Sequence, residues 1–321
     1  MTDLDLITAR EGGPEAPAAV AAAVVAEPDS PPRSLWSDVW RQFRRHRGAL
    51  IGIAVLTAIV LIVLAGPSLY TISPDRLNPR HANRGMSFEH LLGTDNLGRD
   101  MLAQIMAGGR VSLAVGISAM LIAITLGSTV GVLAGYFRRL DGILMRVTDL
   151  FLALPILPLL LVIILLFRDT LRSTFGPSFG IFLLIVIVIG ITSWMRTARV
   201  VRAEVLAIKE REFVLAARSI GTRSHRIIFR HILPNVLSPI MVSATLGVAE
   251  AIIVESALSF LGLGFPPDFP TWGRLLYDGA NFMTITPERV IWPGLAISLT
   301  VLSVNFIGEG LRDALDPRLR N

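Results

Sequence analysis

Glu250 lies within the apolar run from Ile232 to about Val254, with Glu255 just beyond it. Inserting a charged side chain at bilayer depth costs roughly 2.5–3.5 kcal/mol, so an acid placed there faces protein or water. Two roles fit: it lines a polar path through the bilayer, or it bonds a helix terminus inside a bundle. Asp149 opens another apolar run, with Arg146 at i−3 as its expected partner. Other chemistries drop out. A phosphate-binding loop needs a lysine after its glycines, and the single lysine, Lys209, follows Ile208. The chain has no cysteine, which excludes disulfides, thiolate catalysis and cysteine-ligated zinc. His46, His81, His90, His225 and His231 carry no ligand spacing, so no metal site is expected. The stretch Gly93–Asp100 is rich in side-chain oxygens but lacks calcium-loop spacing. A turn held by Asp and Asn side chains is expected instead.

The elements that must position these residues are apolar. Hydrophobic residues make up 52% of the chain and charged residues 17%, with a mean hydropathy of +0.61; a soluble domain would carry about 25% charged residues. The +5 net charge does not point to nucleic acid, because the arginines cluster at the ends of apolar runs. A spanning helix needs about 20 mainly apolar residues. Six such runs are expected: 49–67, 111–137, 150–167, 179–195, 232–254 and 290–307. With the N-terminus in the cytoplasm, 21 of the 30 Lys and Arg residues fall on the inner segments and nine on the outer ones. The positive-inside rule therefore places both termini in the cytoplasm of a plasma membrane. Residues 1–34, rich in Ala, Pro and acids, read as a disordered cytoplasmic tail. Residues 35–110 hold the first span and an external loop, and 111–321 the remaining transmembrane core with a cytoplasmic helix near 212–231. Pro266, Pro267, Pro270 and Trp272 suggest short interfacial helices over the outer mouth. Gly127, Gly131 and Gly135 form a close-packing face, for another span or for a partner chain.

The longest and most basic inner connection is 196–231. It lacks Gly and Pro from Thr197 to Ile220, so helix is the default. Gly221 predicts a break, and Thr222 or Ser224 is the expected cap of a second short helix. Ala216 and Ala217 thin the face just before the turn, which yields a compact knob that a partner can approach closely. Charge and alanine content alone also fit a plain solvated linker.

Spacing turns the reading toward the knob. Ala216, Ala217, Gly221, Leu233 and Pro234 match the cytoplasmic loop pattern Glu-Ala-Ala, three residues, Gly, nine residues, Ile, any residue, Leu-Pro. Leu215 stands where that pattern has Glu, and His231 where it has Ile. The chain resembles permease subunits of ATP-binding-cassette importers. Residues 212–218 and 230–235, together with 90–100, 255–264 and 312–319, resemble the dipeptide, oligopeptide and nickel permeases, in particular their C-type subunit. The resemblance covers about residues 35–320. It implies an all-α membrane protein of six transmembrane helices with a type I importer core (MetI-like), whose first span wraps around a partner. It also implies a second homologous permease subunit, two ATPase subunits or domains that bind ATP and Mg, and an external substrate-binding protein. Lipid is the remaining partner. This chain would then carry no catalytic residue and no cofactor, and would conduct di- or oligopeptides, or alternatively nickel. Glu212, Ala216, Ala217 and Gly221 are the implied ATPase-coupling residues, with Glu212 as a substitute for the missing glutamate at 215. Glu250 is the candidate for the translocation path. A different class, an ion-coupled secondary transporter, would show repeated halves, and none is seen. A scaffold that recruits partners and moves nothing is the remaining rival.

Overall fold

The computed structural model describes residues 35–267 and 269–315, so the tail 1–34 and the closing stretch from Asp316 lie outside the described residues. Among the described residues the chain is helical, with a single isolated bridge between Thr94 and Asp100 in place of any strand. A short amphipathic helix, α1 (Leu35–Arg45), precedes the first spanning helix, α2 (Arg47–Leu69). The His46 side chain caps α2 by accepting from the Ala49 amide at 3.0 Å. Near the other end, Pro67 has no N–H to give the Val63 carbonyl. Arg110 fills that gap, donating from Nε to Val63 O at 3.0 Å and from Nη2 to Leu64 O at 3.1 Å.

A long loop then leads into α3 (Met101–Tyr136), whose cap Asp100 accepts from the Ala103 amide at 2.8 Å. At 36 residues this helix begins ten residues before the apolar run does, because Gln104 and Arg110 are accommodated by protein rather than lipid. The next run does not form one straight span. Residues 150–167 divide between α4 (Arg138–Ala153) and α5 (Ile156–Phe175), which meet at an angle of 88°. Pro155 has no amide hydrogen and keeps Leu154 out of the helical region, so the helix stops there. Among the described residues five helices are long and apolar enough to cross a membrane, or six if the bent pair is one span.

Beyond Gly176, α6 (Pro177–Ile208) continues 13 residues past the expected end of its run, carrying Arg196, Arg199 and Arg202. α6 packs along most of α3, and the glycine stripe makes this possible. A Cβ on Gly131 would lie 2.6 Å from the Ala198 carbonyl, and one on Gly127 or Gly135 would lie 2.7 Å from Thr197 or Val205. The close-packing face thus serves this chain's own fourth span. The main apolar core joins α3, α5 and α6 through Val115, Leu160, Ile164, Ile185 and Ile189.

The basic connection after α6 is broken twice. Helix α6 ends at Ile208, and α7 (Glu212–Ser219) and α8 (Ser224–Ile227) follow. No capping bond comes from Thr222 or Ser224; Arg223 is the N-cap residue of α8 and its side chain is not used. A π turn, Ile228–Ile232, leads into α9 (Leu233–Phe260). Beyond α9, α10 (Trp272–Ala280) dips into the bundle, and α11 (Glu288–Leu315) closes it. Trp272 is fully buried, and its indole Nε1 donates to Ile105 O at 3.0 Å over Gly109, where a Cβ would collide with the ring. The expected interfacial helix is therefore partly an inserted plug. Helix α2 packs on this chain's own α11 and α3, with Leu61, Ile62 and Leu64 left facing outward.

Candidate functional site: a packed knob and a ladder of arginine pairs

Local sequence explains the shape of the knob. Helix α7 opens with Glu212 in its first turn, where a negative charge suits the helix dipole. It ends in a Schellman turn: the Thr222 amide donates to Ala217 O at 3.1 Å and the Gly221 amide to Arg218 O at 3.0 Å. That turn requires the positive φ of +77° at Gly221, and a Cβ there would meet nothing within 4 Å. Val214 and Ala217 point down into a buried cluster with Val132, Val201, Val205 and Ile232. Glu212, Leu215, Ala216 and Gly221 all face outward. The two alanines therefore divide: Ala216 is on the accessible surface and Ala217 is part of the base that fixes the knob. Glu212 and Leu215, three residues apart, share the exposed side. The lone lysine also serves the base, with Lys209 Nζ donating to Gly135 O at 3.0 Å to close the end of α3. His231 is half-buried, with its ring 6.3 Å from that of Phe213.

Above the knob, α6 presents arginines at three-residue spacing, each held by an acid from another helix. Arg196 Nη1 reaches both carboxylate oxygens of Glu250 on α9, at 2.5 and 2.6 Å. Arg199 Nη2 reaches Asp149 Oδ1 on α4 at 2.6 Å. Arg202 grips Asp141 on α4 with two bonds, Nη2 to Oδ2 measuring 2.7 Å. Arg199 therefore takes the partner that spacing assigned to Arg146, because the polar face of α4 lies against α6. Glu250 and Arg196 lie at nearly one depth, although the ends of their apolar runs suggested opposite sides of the membrane. The Arg196 side chain is 72% exposed and that of Glu250 45%. They line a cavity of about 190 Å³ beside the α4–α5 break, together with Phe151, Thr192 and Ser193. Charges open to this degree at membrane depth need water or a protein neighbour in front of them.

The other acid of α9 has a different setting. Glu255 is fully buried and accepts from Ser112 Oγ at 3.1 Å and Ser259 Oγ at 2.8 Å. It joins α3, α9 and the Trp272 plug, since the Trp272 amide also donates to Ser112 Oγ at 3.3 Å. Its sequence signal was its place one residue past an apolar run, which gave no hint of burial.

In the loop between α2 and α3, Asp95 holds the expected turn, accepting from the amides of Leu97 and Arg99 at 2.8 Å each and from Arg99 Nε at 2.7 Å. Asn96 instead reaches across to α11 and accepts from Arg289 Nη2 at 2.9 Å. Asp100 Oδ2 accepts from Tyr70 Oη at 2.7 Å. Burial, then the Asp100 carboxylate, holds the Tyr70 proton on well above the usual value of 10.0. The histidines do not stay scattered: His81 Nδ1 lies 3.2 Å from His90 Nε2.

A long-helix bundle with ion pairs at membrane depth and a rigid knob beyond one end of it is a membrane-embedded transport subunit. Comparison with known families places it. Residues 123–321 match the model described as "Binding-protein-dependent transport system inner membrane component", and residues 34–88 match the "N-terminal TM domain of oligopeptide transport permease C". The chain belongs to this permease family. It is 39% identical to the dipeptide transport system permease protein DppC of Alkalihalophilus pseudofirmus, over 92% of this chain and 96% of the relative. It is 37% identical to the oligopeptide transport system permease protein OppC of Bacillus subtilis, covering 89% of this chain and 91% of the relative. The glutathione transport system permease protein GsiD of Pectobacterium atrosepticum is likewise 37% identical, with 91% and 94% covered. In fold, the chain is similar to a structure of the MetNI methionine ABC transporter in an inward-facing conformation. The TM-score is 0.53 at 17% identity, covering 67% of this chain and 98% of the other. The core is thus that of a type I importer permease, a non-enzymatic transport component, and the secondary-transporter alternative is set aside.

Proposed function

We propose that this chain is one of two permease subunits of an importer for di- or oligopeptides in the plasma membrane, with both termini cytoplasmic. It is energised by two partner ATPase subunits or domains, which bind ATP and Mg, and supplied by an external substrate-binding protein. The observation that carries the reading is the knob Glu212–Gly221, whose outward face is bare while its base is packed into the bundle through Val214 and Ala217. A partner that pulls on such a knob moves the bundle, because the base cannot yield without opening a packed core. Glu212 takes the place of the glutamate missing at 215, one turn earlier on the same exposed side. ATP closes the ATPase pair, draws the two knobs together and turns the path outward; hydrolysis restores the inward-facing state. Glu250, paired with Arg196, lines the path. The pair offers a carboxylate to a peptide amine and a guanidinium to a peptide carboxylate.

The test is the ATPase activity of the reconstituted complex with peptide-loaded binding protein, comparing wild type with Gly221→Trp. Trp at a φ of +77° strains the turn that shapes the knob and adds bulk at its tip, while the base packed through Val214 and Ala217 is not touched. Stimulation of the wild type and its loss in an assembled variant are expected. Equal stimulation of both would make residues 212–221 a linker.

A further inference from the structure

We infer that the external loop contains a binding site for a divalent transition-metal ion, formed by His81, Glu89 and His90. Their ligand atoms, one from each side chain, all lie within 4.8 Å of one another. The two imidazole nitrogens that face each other, His81 Nδ1 and His90 Nε2, are 3.2 Å apart. A tetrahedral ion with Zn–N bonds of about 2.0–2.1 Å sets its ligands about 3.3–3.4 Å apart. The two rings therefore already stand at the separation of one tetrahedral edge. The rings meet nearly at right angles, 80° between planes, so they do not stack against each other and a small rotation of either ring turns its nitrogen toward a shared ion.

The support behind His90 is that of a metal ligand. Its Nδ1 lies 2.9 Å from Asp100 Oδ2, on a carboxylate that is fully buried. Asp100 is locked in turn by Tyr70 Oη and by its role as the cap of α3. An acceptor fixed in this way assigns the proton of neutral His90 to Nδ1 and leaves the Nε2 lone pair facing His81. A carboxylate that orients a histidine and raises its basicity is the usual outer shell of a zinc site. Glu89 is exposed, so its side chain can swing inward to complete a third position and supply a negative charge, with water in the fourth. Two nitrogens and one carboxylate oxygen favour Zn²⁺ or Ni²⁺ over Mg²⁺ or Ca²⁺, which take oxygen. The competing explanation of the same geometry is a plain hydrogen bond from His81 Nδ1–H to His90. A bound ion would join the turn Pro79–His81 to the start of α3 and, through Asp100 and Tyr70, to the end of α2. The inference depends neither on the cargo nor on the direction of transport.

The experiment uses the full-length chain, free of any histidine tag and stripped with chelator. Zn²⁺ is titrated by calorimetry and Co²⁺ by visible absorption. One saturable site is expected, with a Co²⁺ band stronger than that of the octahedral aqua ion, and a thermal midpoint that rises with Zn²⁺. His81→Ala leaves the His81 backbone carbonyl free to accept from Thr94 as before, so it keeps the loop fold. It should weaken binding at least tenfold and abolish both the band and the thermal shift, while Glu89→Gln should weaken binding less. Identical titrations for wild type and His81→Ala, or no saturable binding by the wild type, would overturn the site and leave a hydrogen bond.

Discussion

Ala216 and Ala217 are neighbours in sequence and face opposite ways in the fold, so the two positions separate the proposed docking from stability. Ala217 is 7% exposed within the cluster of Val132, Val201 and Val205. Ala217→Leu forces extra volume into that packed base and should cost about 1–3 kcal/mol, seen as a lower midpoint of thermal unfolding. Ala216→Leu should leave the midpoint unchanged and instead lower the ATPase stimulation given by loaded binding protein. The Arg196–Glu250 pair makes a second prediction at this scale. Arg196→Gln or Glu250→Gln leaves one charge uncompensated at membrane depth, and each should reduce peptide uptake at least tenfold. If the pair touches cargo, the double variant Arg196→Gln/Glu250→Gln stays as poor as the singles. Recovery of uptake in the double variant would mean that the pair only neutralises itself.

Between elements, the tightest constraint is the contact of α3 with α6. Gly131 has no room for a Cβ, which would sit 2.6 Å from a backbone carbonyl that cannot rotate away. Gly131→Leu should therefore push the helices apart and destabilise the chain by about 1–3 kcal/mol. Gly142→Leu, at a position where a Cβ meets nothing within 4 Å, is the matched control and should be silent. Thermal unfolding in detergent reads both. The sequence marked this face through its four-residue spacing but left its partner open, since a helix surface does not name the helix that covers it. The third span shows the opposite shortfall. Pro155 was visible, yet hydropathy averages across a window and registers apolar length without direction. A turn of 88° between two apolar helices therefore leaves the profile unchanged.

Across the whole chain, the absence of cysteine makes the topology directly measurable. Phe88 in the loop between α2 and α3 is fully exposed, and Ile220 at the tip of the knob is 83% exposed. In intact cells, Phe88→Cys should react with a membrane-impermeant maleimide, and Ile220→Cys only after permeabilisation. The reverse pattern would invert the orientation, and with it the assignment of the knob to the ATPase side. Labelling of Ile220→Cys in permeabilised cells should also fall when ATPase subunits are co-expressed, since they would cover the knob.

Class and local form were legible in the residues themselves. Apolar runs of spanning length, the bias of arginines among their flanks, and the Gly221 turn are short-range properties, set by solvent transfer and by one backbone dihedral. Pairings between distant residues were not legible. Glu250 with Arg196, Asp149 with Arg199 and His81 with His90 each depend on helix rotation, crossing angle or loop closure. A bilayer selects apolar length but exerts almost no preference for which apolar face turns inward. Those choices were made by small-residue contacts such as Gly131 against Ala198 and by the need of each charge at membrane depth for a partner, and only the folded chain satisfies both at once.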